Sequence, residues 1–159
     1  METKKYTQSG TFAITIFLLL IVLVTGRLIL SLQTGGSEGI IHYVVLFSLI
    51  IGLLFFYKLT IQVDVTQVSF KFGIGLFGKS YNLSDIKSVR PVRNSLISGL
   101  GIRILFNGWL YNVSGFKAIE LEFKSRSSVV RIGTDRPEEI SEIINKLIGE
   151  ETALKHEQS

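Results

Sequence analysis

Two long apolar runs near the N-terminus dominate the pattern of hydrophobic and polar positions. The first covers residues 12–32 and the second residues 40–59, with small and polar residues between them. Both are apolar on all sides, unlike a helix that packs one stripe on a soluble core. At about 1.5 Å per residue each run makes a helix of about 30 Å, the thickness of a bilayer's hydrocarbon core. We therefore predict a transmembrane helical hairpin over residues 11–59, preceded by a disordered cytoplasmic tail at residues 1–10.

Two alternatives compete with the hairpin. Both runs are compatible with central helices of a soluble core, and the first is compatible with a secretory signal peptide that has Lys4 and Lys5 as its positive region. No small-residue cleavage site follows the first run, and Arg27 lies where one is expected. A signal peptide also leaves the second run unexplained, so the hairpin is favoured.

After the second run the pattern changes to strict alternation. Apolar and polar positions alternate from Ile61 to Phe72 and again from Ala118 to Lys124, with Gly, Asn and Ser between such segments. About seven short strands at close spacing predict an antiparallel sandwich or barrel over residues 60–149. A helix ends this domain, with Asp135 as its expected N-cap and Glu138 three residues later. Its buried face is predicted to comprise Ile140, Ile143, Ile144, Leu147 and Ile148. Residues 150–159 are a polar tail.

The segment from Gly73 to Ser80 matches the phosphate-binding pattern GxxxxGK[ST]. Such a loop requires a buried strand before it and a helix that begins at its Lys-Ser pair. Here the preceding strand is half polar and the following residues are extended. We therefore interpret the segment as a glycine-rich hairpin turn and expect no nucleotide cofactor.

The positive charges predict an orientation in the membrane. Lys4 and Lys5 precede the first run and Lys58 ends the second, whereas residues 33–39 contain no Lys or Arg. By the positive-inside rule both termini and the domain are cytoplasmic, which gives a multi-pass protein of the cell (inner) membrane. The sequence contains no cysteine, so it has no disulfide and no thiolate metal site.

Three later segments resemble the bacterial pleckstrin-homology-like (PH-like) domain family. They are Gly101-Ile102-Arg103, the glycine-bracketed run at residues 108–115, and residues 131–139. The resemblance covers about residues 40–149 and implies seven antiparallel strands in two near-orthogonal sheets with a C-terminal helix. In that family one or two transmembrane helices commonly precede the domain. The loop that binds inositol phosphates in PH domains is here only residues 65–68, without Lys or Arg, so specific phosphoinositide recognition is not expected.

The candidate contact residues are basic and aromatic. Residues 61–134 carry ten Lys and Arg against four Asp and Glu, whereas residues 135–159 carry three against seven. Arg90, Arg93 and Arg103 flank one loop and are predicted to form a patch for anionic headgroups or an acidic partner; a solvated face is the alternative. Trp109 and Tyr111 are further candidates; the alternative is that they pack a corner of the barrel or rest at the membrane interface. Glu120 and Glu122 are expected on a solvated strand face.

The function expected from these features is that of a membrane-anchored module without catalytic activity or cofactor. It would scaffold or regulate other membrane proteins, or copies of itself, and touch the lipid bilayer; nucleic acid is not expected as a partner. The alternative is a small accessory subunit of a transport or export system, in which the hairpin itself is functional and Arg27 matters.

Overall fold

The computed structural model describes residues 3–35, 39–95 and 101–157 of the chain. These residues form an α+β protein with an N-terminal apolar helix, two sheets and a C-terminal helix, as predicted. The parts of the predicted loops at residues 36–38 and 96–100 lie outside the described residues. The helices are α1 (Thr11–Gln33), α2 (Ile40–Phe56) and α3 (Pro137–Glu157). The strands are β1 (Lys4–Ser9), β2 (Lys58–Val63), β3 (Gln67–Phe72), β4 (Phe77–Asn82), β5 (Ile86–Arg93), β6 (Gly101–Leu105), β7 (Gly108–Asn112), β8 (Lys117–Phe123) and β9 (Val129–Gly133).

The N-terminal tail is a strand, so the prediction of a disordered segment at residues 1–10 is wrong for β1. β1 pairs antiparallel with β2 along its whole length, from Lys4 opposite Val63 to Ser9 opposite Lys58. Gly10 alone separates β1 from α1, and Tyr57 alone separates α2 from β2. The backbone N–H of Gly10 donates to the Tyr57 carbonyl at 2.8 Å. The helical pair is therefore an insertion between two paired strands, without a flexible linker.

The strands form two sheets. The four-stranded sheet has the order β1-β2-β3-β4, and the five-stranded sheet has the order β5-β8-β9-β7-β6. The described residues thus contain nine strands, two more than predicted: β1 was not expected, and β4 covers residues that were interpreted as a turn and a short extended segment. One pair, β7 with β9, is parallel, so the prediction of a wholly antiparallel structure is also wrong.

Among the described residues, α1 is the one helix both long and apolar enough to cross a membrane. Its 23 residues span about 35 Å, whereas the 17 apolar residues of α2 span about 26 Å. The two helices pack side by side, and the ring of Phe17 fills the space over Gly52, where a Cβ atom would overlap it.

One apolar core lies between the two sheets and continues under α3. It contains Phe70 and Phe72 of the first sheet and Tyr111 and Ile132 of the second. The predicted apolar face of α3 is confirmed, because Ile140, Ile144 and Leu147 are buried and Ile143 and Ile148 pack against the core. The capping interaction expected of Asp135 is not formed: α3 begins at Pro137, and the Asp135 carboxylate instead accepts a hydrogen bond from Gln8 of β1 at 2.8 Å.

Candidate functional site

A buried carboxylate lies at the centre of the outer face of the five-stranded sheet. Pairing places Arg90, Glu120, Arg131, Leu110 and Arg103 in one row across β5, β8, β9, β7 and β6. The Glu120 side chain has 0% exposure, so the expectation of a solvated position was wrong for this residue. Because both lateral neighbours of Glu120 are arginines, the sheet itself provides the compensating charge.

Glu120 accepts hydrogen bonds from both arginines. Arg131 Nε lies 2.6 Å from Glu120 Oε2, and Arg90 Nε lies 2.8 Å from Glu120 Oε1, with a second contact from Arg90 Nη2. Burial raises the pKa of the Glu120 carboxyl, but the hydrogen bonds from Arg131 and Arg90 outweigh it, so that the pKa is lowered overall. The hydrogen bond to Glu120 also raises the pKa of Arg90. The Glu120 carboxyl therefore stays ionised at neutral pH, and its contacts with Arg90 and Arg131 hold three adjacent strands together.

The predicted patch of Arg90, Arg93 and Arg103 is not formed. β5 and β6 are opposite edges of the five-stranded sheet, so four strand spacings, about 19 Å, separate Arg90 from Arg103. Arg90 is hydrogen-bonded to Glu120, and its Nη2 atom also lies 3.6 Å from Glu122 Oε1. Arg93 is exposed at the end of β5, opposite Lys117 of β8. The sequence could not separate these residues because the order of strands in the sheet differs from their order in the chain.

The two candidate aromatic residues have different environments. Tyr111 is buried in the core, so it is not a surface contact residue. Trp109 is stacked on Tyr111 with ring centroids 6.3 Å apart and remains partly exposed. Lys79 Nζ lies 5.5 Å from the Trp109 ring centroid, at the distance of a cation–π contact.

The segment that resembles a phosphate-binding loop is a hairpin turn, as predicted. Lys79 and Ser80 belong to strand β4 and lie opposite Phe70 and Ser69 of β3, where a phosphate site would require a helix. Gly73 has a φ of +54°. A Cβ atom there would overlap the carbonyl oxygens at the end of α2. The glycine is thus explained by the close approach of this turn to the last turn of α2.

The turns nearest α1 and α2, with the strand ends beside them, carry basic and apolar residues of which sequence analysis selected only Arg93 as a contact residue. The β3–β4 turn adjoins α2 through Gly73, and the β7–β8 bend adjoins α1 through a contact of 3.3 Å between the Ser114 and Thr11 hydroxyls. We call this end of the domain the helix-proximal rim. It comprises Lys58, Lys71, Ile74, Leu76, Arg93, Phe116 and Lys117. These residues lie far apart in the sequence, so only the sheet topology reveals that they share one end.

An apolar cavity of about 230 Å³ lies where α1 meets the domain. Ala13, Phe17, Phe56 and Val113 are among its lining residues. Within the described ranges, no group of three or more His, Asp or Glu side chains is arranged to hold a metal ion. Arg27 lies exposed on α1, six residues before the helix ends at Gln33.

No protein-family model, curated protein or solved structure matches this chain. The structure establishes two sheets with a C-terminal helix, and the PH-like assignment remains a prediction.

Proposed function

We propose that this protein is a membrane-anchored interaction module, in which the α1–α2 hairpin crosses the bilayer and the two-sheet domain binds other membrane-associated proteins. The observation that carries this proposal is the insertion of the hairpin between the paired strands β1 and β2. A domain mounted in this way has a fixed height and a fixed rotation relative to the membrane, because both of its connections are a single residue long.

The strand pairing supports two crossings rather than one. β1 precedes α1 and β2 follows α2, and the two strands are paired over six residues of each. A single crossing by α1 would leave the paired strands on opposite sides of the bilayer. α2 must therefore bring the chain back, although its 17 residues are few for a span. Lys58, two residues after α2, and the basic residues of β1 support a cytoplasmic position of the domain by the positive-inside rule.

The surface best suited to a protein partner is the β6–β7 hairpin. Its exposed apolar residues are Ile104 (76% exposed), Phe106 and Trp109. Among the described residues, β6 is also an edge strand of its sheet. The hairpin tip lies away from the membrane, because the opposite end of β6, at Gly101, adjoins Phe56 of α2. Exposed aromatic side chains of this kind commonly anchor protein interfaces.

Site-specific photo-crosslinking in native membranes tests this proposal. A photoreactive residue at Phe106 should give discrete adducts, whereas the same residue at Val65, an exposed position in the β2–β3 turn, should give none. Replacing α1 and α2 with an unrelated hairpin of equal length should preserve the Phe106 adducts. Equal adduct patterns at both positions would contradict the proposed surface. Loss of the adducts on hairpin replacement would instead favour the accessory-subunit alternative, in which the hairpin is functional.

A further inference from the structure

Each of two turns on the helix-proximal rim combines exposed apolar residues with a lysine. The β3–β4 turn exposes Ile74 and Leu76, the latter at 68%, and Lys71 is exposed just before it. The β7–β8 bend exposes Phe116, followed directly by exposed Lys117. Segments that lie in the interface of anionic membranes combine exposed apolar residues with neighbouring basic residues in this way.

The length of α2 determines how deep these turns lie relative to the hydrocarbon core of the bilayer. At about 26 Å, α2 is shorter than a hydrocarbon core of about 30 Å, so its last turn lies at or inside the boundary of that core. Gly73 lies so close to this last turn that a Cβ atom there would overlap the carbonyl oxygens of Leu54 and Phe55. The β7–β8 bend is tied to Thr11, the first residue of α1, through Ser114. Both turns therefore reach the level at which the helices enter the lipid.

The backbone of these turns is suited to a poorly hydrated environment. The N–H of Gly73 donates to the Lys58 carbonyl and that of Gly75 to the Phe72 carbonyl, both at 2.8 Å. In the other turn the side-chain amide of Asn112 donates to the Gly115 carbonyl at 3.0 Å. Polar backbone groups that are paired internally can approach the lipid without the penalty of unmade hydrogen bonds.

Resting on the proposed membrane anchoring, we infer that the β3–β4 turn and the β7–β8 bend are inserted into the interfacial layer of an anionic bilayer. Ile74, Leu76 and Phe116 enter the upper part of the acyl-chain region, and Lys71 and Lys117 contact lipid phosphates. Lys58 and Arg93 add positive charge at the same end of the domain. The carboxylate of Asp135 is engaged by a hydrogen bond from the Gln8 side chain. The domain thus rests on the bilayer through a second contact in addition to its helices.

Depth measurements on the full chain test this inference. Because the sequence has no cysteine, single-cysteine variants can carry a nitroxide label at one chosen position. The test positions are Leu76→Cys and Phe116→Cys. The matched controls are Val65→Cys in the turn at the opposite end of β3, and Ile104→Cys on β6; both are exposed apolar positions away from the turns that adjoin α1 and α2. Leu20→Cys, on the exposed surface of α1, reports whether that helix lies in lipid.

The label's accessibility to oxygen, relative to a water-soluble nickel chelate, gives its depth in bilayers of phosphatidylcholine and phosphatidylglycerol. We expect a lipid environment at Leu20, an intermediate depth at Leu76 and Phe116, and full access of the chelate at Val65 and Ile104. Access of the chelate at Leu76 and Phe116 equal to that at Val65, with Leu20 in lipid, would overturn this inference alone. Access of the chelate at Leu20 would overturn the membrane anchoring as well.

The contact with headgroups has its own readout. Each lysine near an anionic surface should favour the inserted state of the turn about fivefold, so Lys71→Gln should shift the Leu76→Cys label towards water by about this factor. Lys87→Gln is the matched control, since Lys87 is exposed near the start of β5, at the end of that strand opposite to Arg93 of the rim. The effect of Lys71→Gln should vanish in pure phosphatidylcholine. An equal shift for both substitutions, or no shift for either, would overturn the headgroup contact.

Discussion

Substitution of Glu120 by Gln tests the energetic role of the ion cluster on the five-stranded sheet. The change keeps the shape of the side chain and removes its charge. The Glu120 carboxylate has no exposed surface and accepts hydrogen bonds from Arg90 on one side and Arg131 on the other. A glutamine amide can accept from one arginine, but its NH₂ group then faces the donors of the other.

The expected loss of stability follows from the exposure of the two arginines. Removing one partner from a fully buried ion pair typically destabilises a protein by about 3–5 kcal/mol. Here the Arg90 side chain is 60% exposed and that of Arg131 25% exposed, so both guanidinium groups can regain water when they are released. We therefore expect Glu120→Gln to lower the free energy of unfolding by about 2–3 kcal/mol at pH 7.

The pH dependence has a definite sign. The pKa of Glu120 in the folded protein lies below its ordinary value of 4.5. A carboxyl whose pKa is depressed by folding contributes stability that is fully present above the pKa of the unfolded chain and is lost as the pH falls through the folded pKa. The difference in stability between wild type and Glu120→Gln should therefore be constant near neutral pH and shrink below about pH 4.5.

Urea unfolding in mild detergent, followed by tryptophan emission, measures these differences, because Trp109 is the single tryptophan of the chain. The matched control is Glu122→Gln on the same strand, since Glu122 is partly exposed and lies 3.6 Å from Arg90. We expect the control to change stability by less than about 1 kcal/mol. Equal losses for the two variants, or a difference that grows in acid, would refute the assigned role of the cluster.

Three further predictions concern the turns and the mounting of the domain. Lys79→Ala should shift Trp109 emission, lower stability by only about 0.5–1 kcal/mol and leave ATP binding undetectable in both proteins; saturable ATP binding abolished by the change would reinstate a nucleotide site. Gly73→Ala should destabilise the domain more than Gly75→Ala, because a Cβ atom at Gly73 would also overlap the end of α2. At Gly75 the left-handed backbone alone costs about 1–2 kcal/mol. Equal unfolding midpoints of the two variants in urea would show that Gly73 does not pack tightly against α2. Replacing residues 10–57 with Asn-Gly should leave a folded domain with a cooperative urea transition, because the strands on either side are already paired at this point; a fragment that lacks β1 should unfold at lower urea, and equal midpoints would contradict this role of β1.

Periodicity predicted the parts of the fold in which neighbouring residues determine the structure. The apolar runs gave α1 and α2, the spacing of isoleucines and leucines gave the buried face of α3, and alternation gave most strands. The turn at Gly73 was predicted because its sequence context lacks the strand and helix of a phosphate-binding loop. In each case the signal lies within about twenty consecutive residues.

The features that sequence analysis missed depend on distant pairing. β1 is short and polar, and it forms a strand because β2, more than fifty residues later, offers it an edge. Glu120 alternates like a surface residue, and only the positions of β5 and β9 on either side of β8 surround it with arginines. For the same reason sequence analysis grouped Arg90 with Arg103, although they lie on opposite edges of the five-stranded sheet, and did not connect Arg93 with Lys117, which lies opposite it.

The insertion of α1 and α2 between β1 and β2 also imposes an order on biosynthesis. β1 leaves the ribosome first, but its partner follows only after both helices have been made, roughly 50 residues or about 3–10 s later at usual translation rates. During this interval the N-terminal segment has no β2 edge to join, and in the proposed anchoring it must remain on the side of the membrane where the domain will form. Under that proposal, β1 can pair with β2 only after the hairpin has inserted and returned. A chain in which α2 failed to return would keep its N-terminal strand and the rest of its sheet on opposite sides of the bilayer, with an unpaired β2 edge exposed to quality-control proteases.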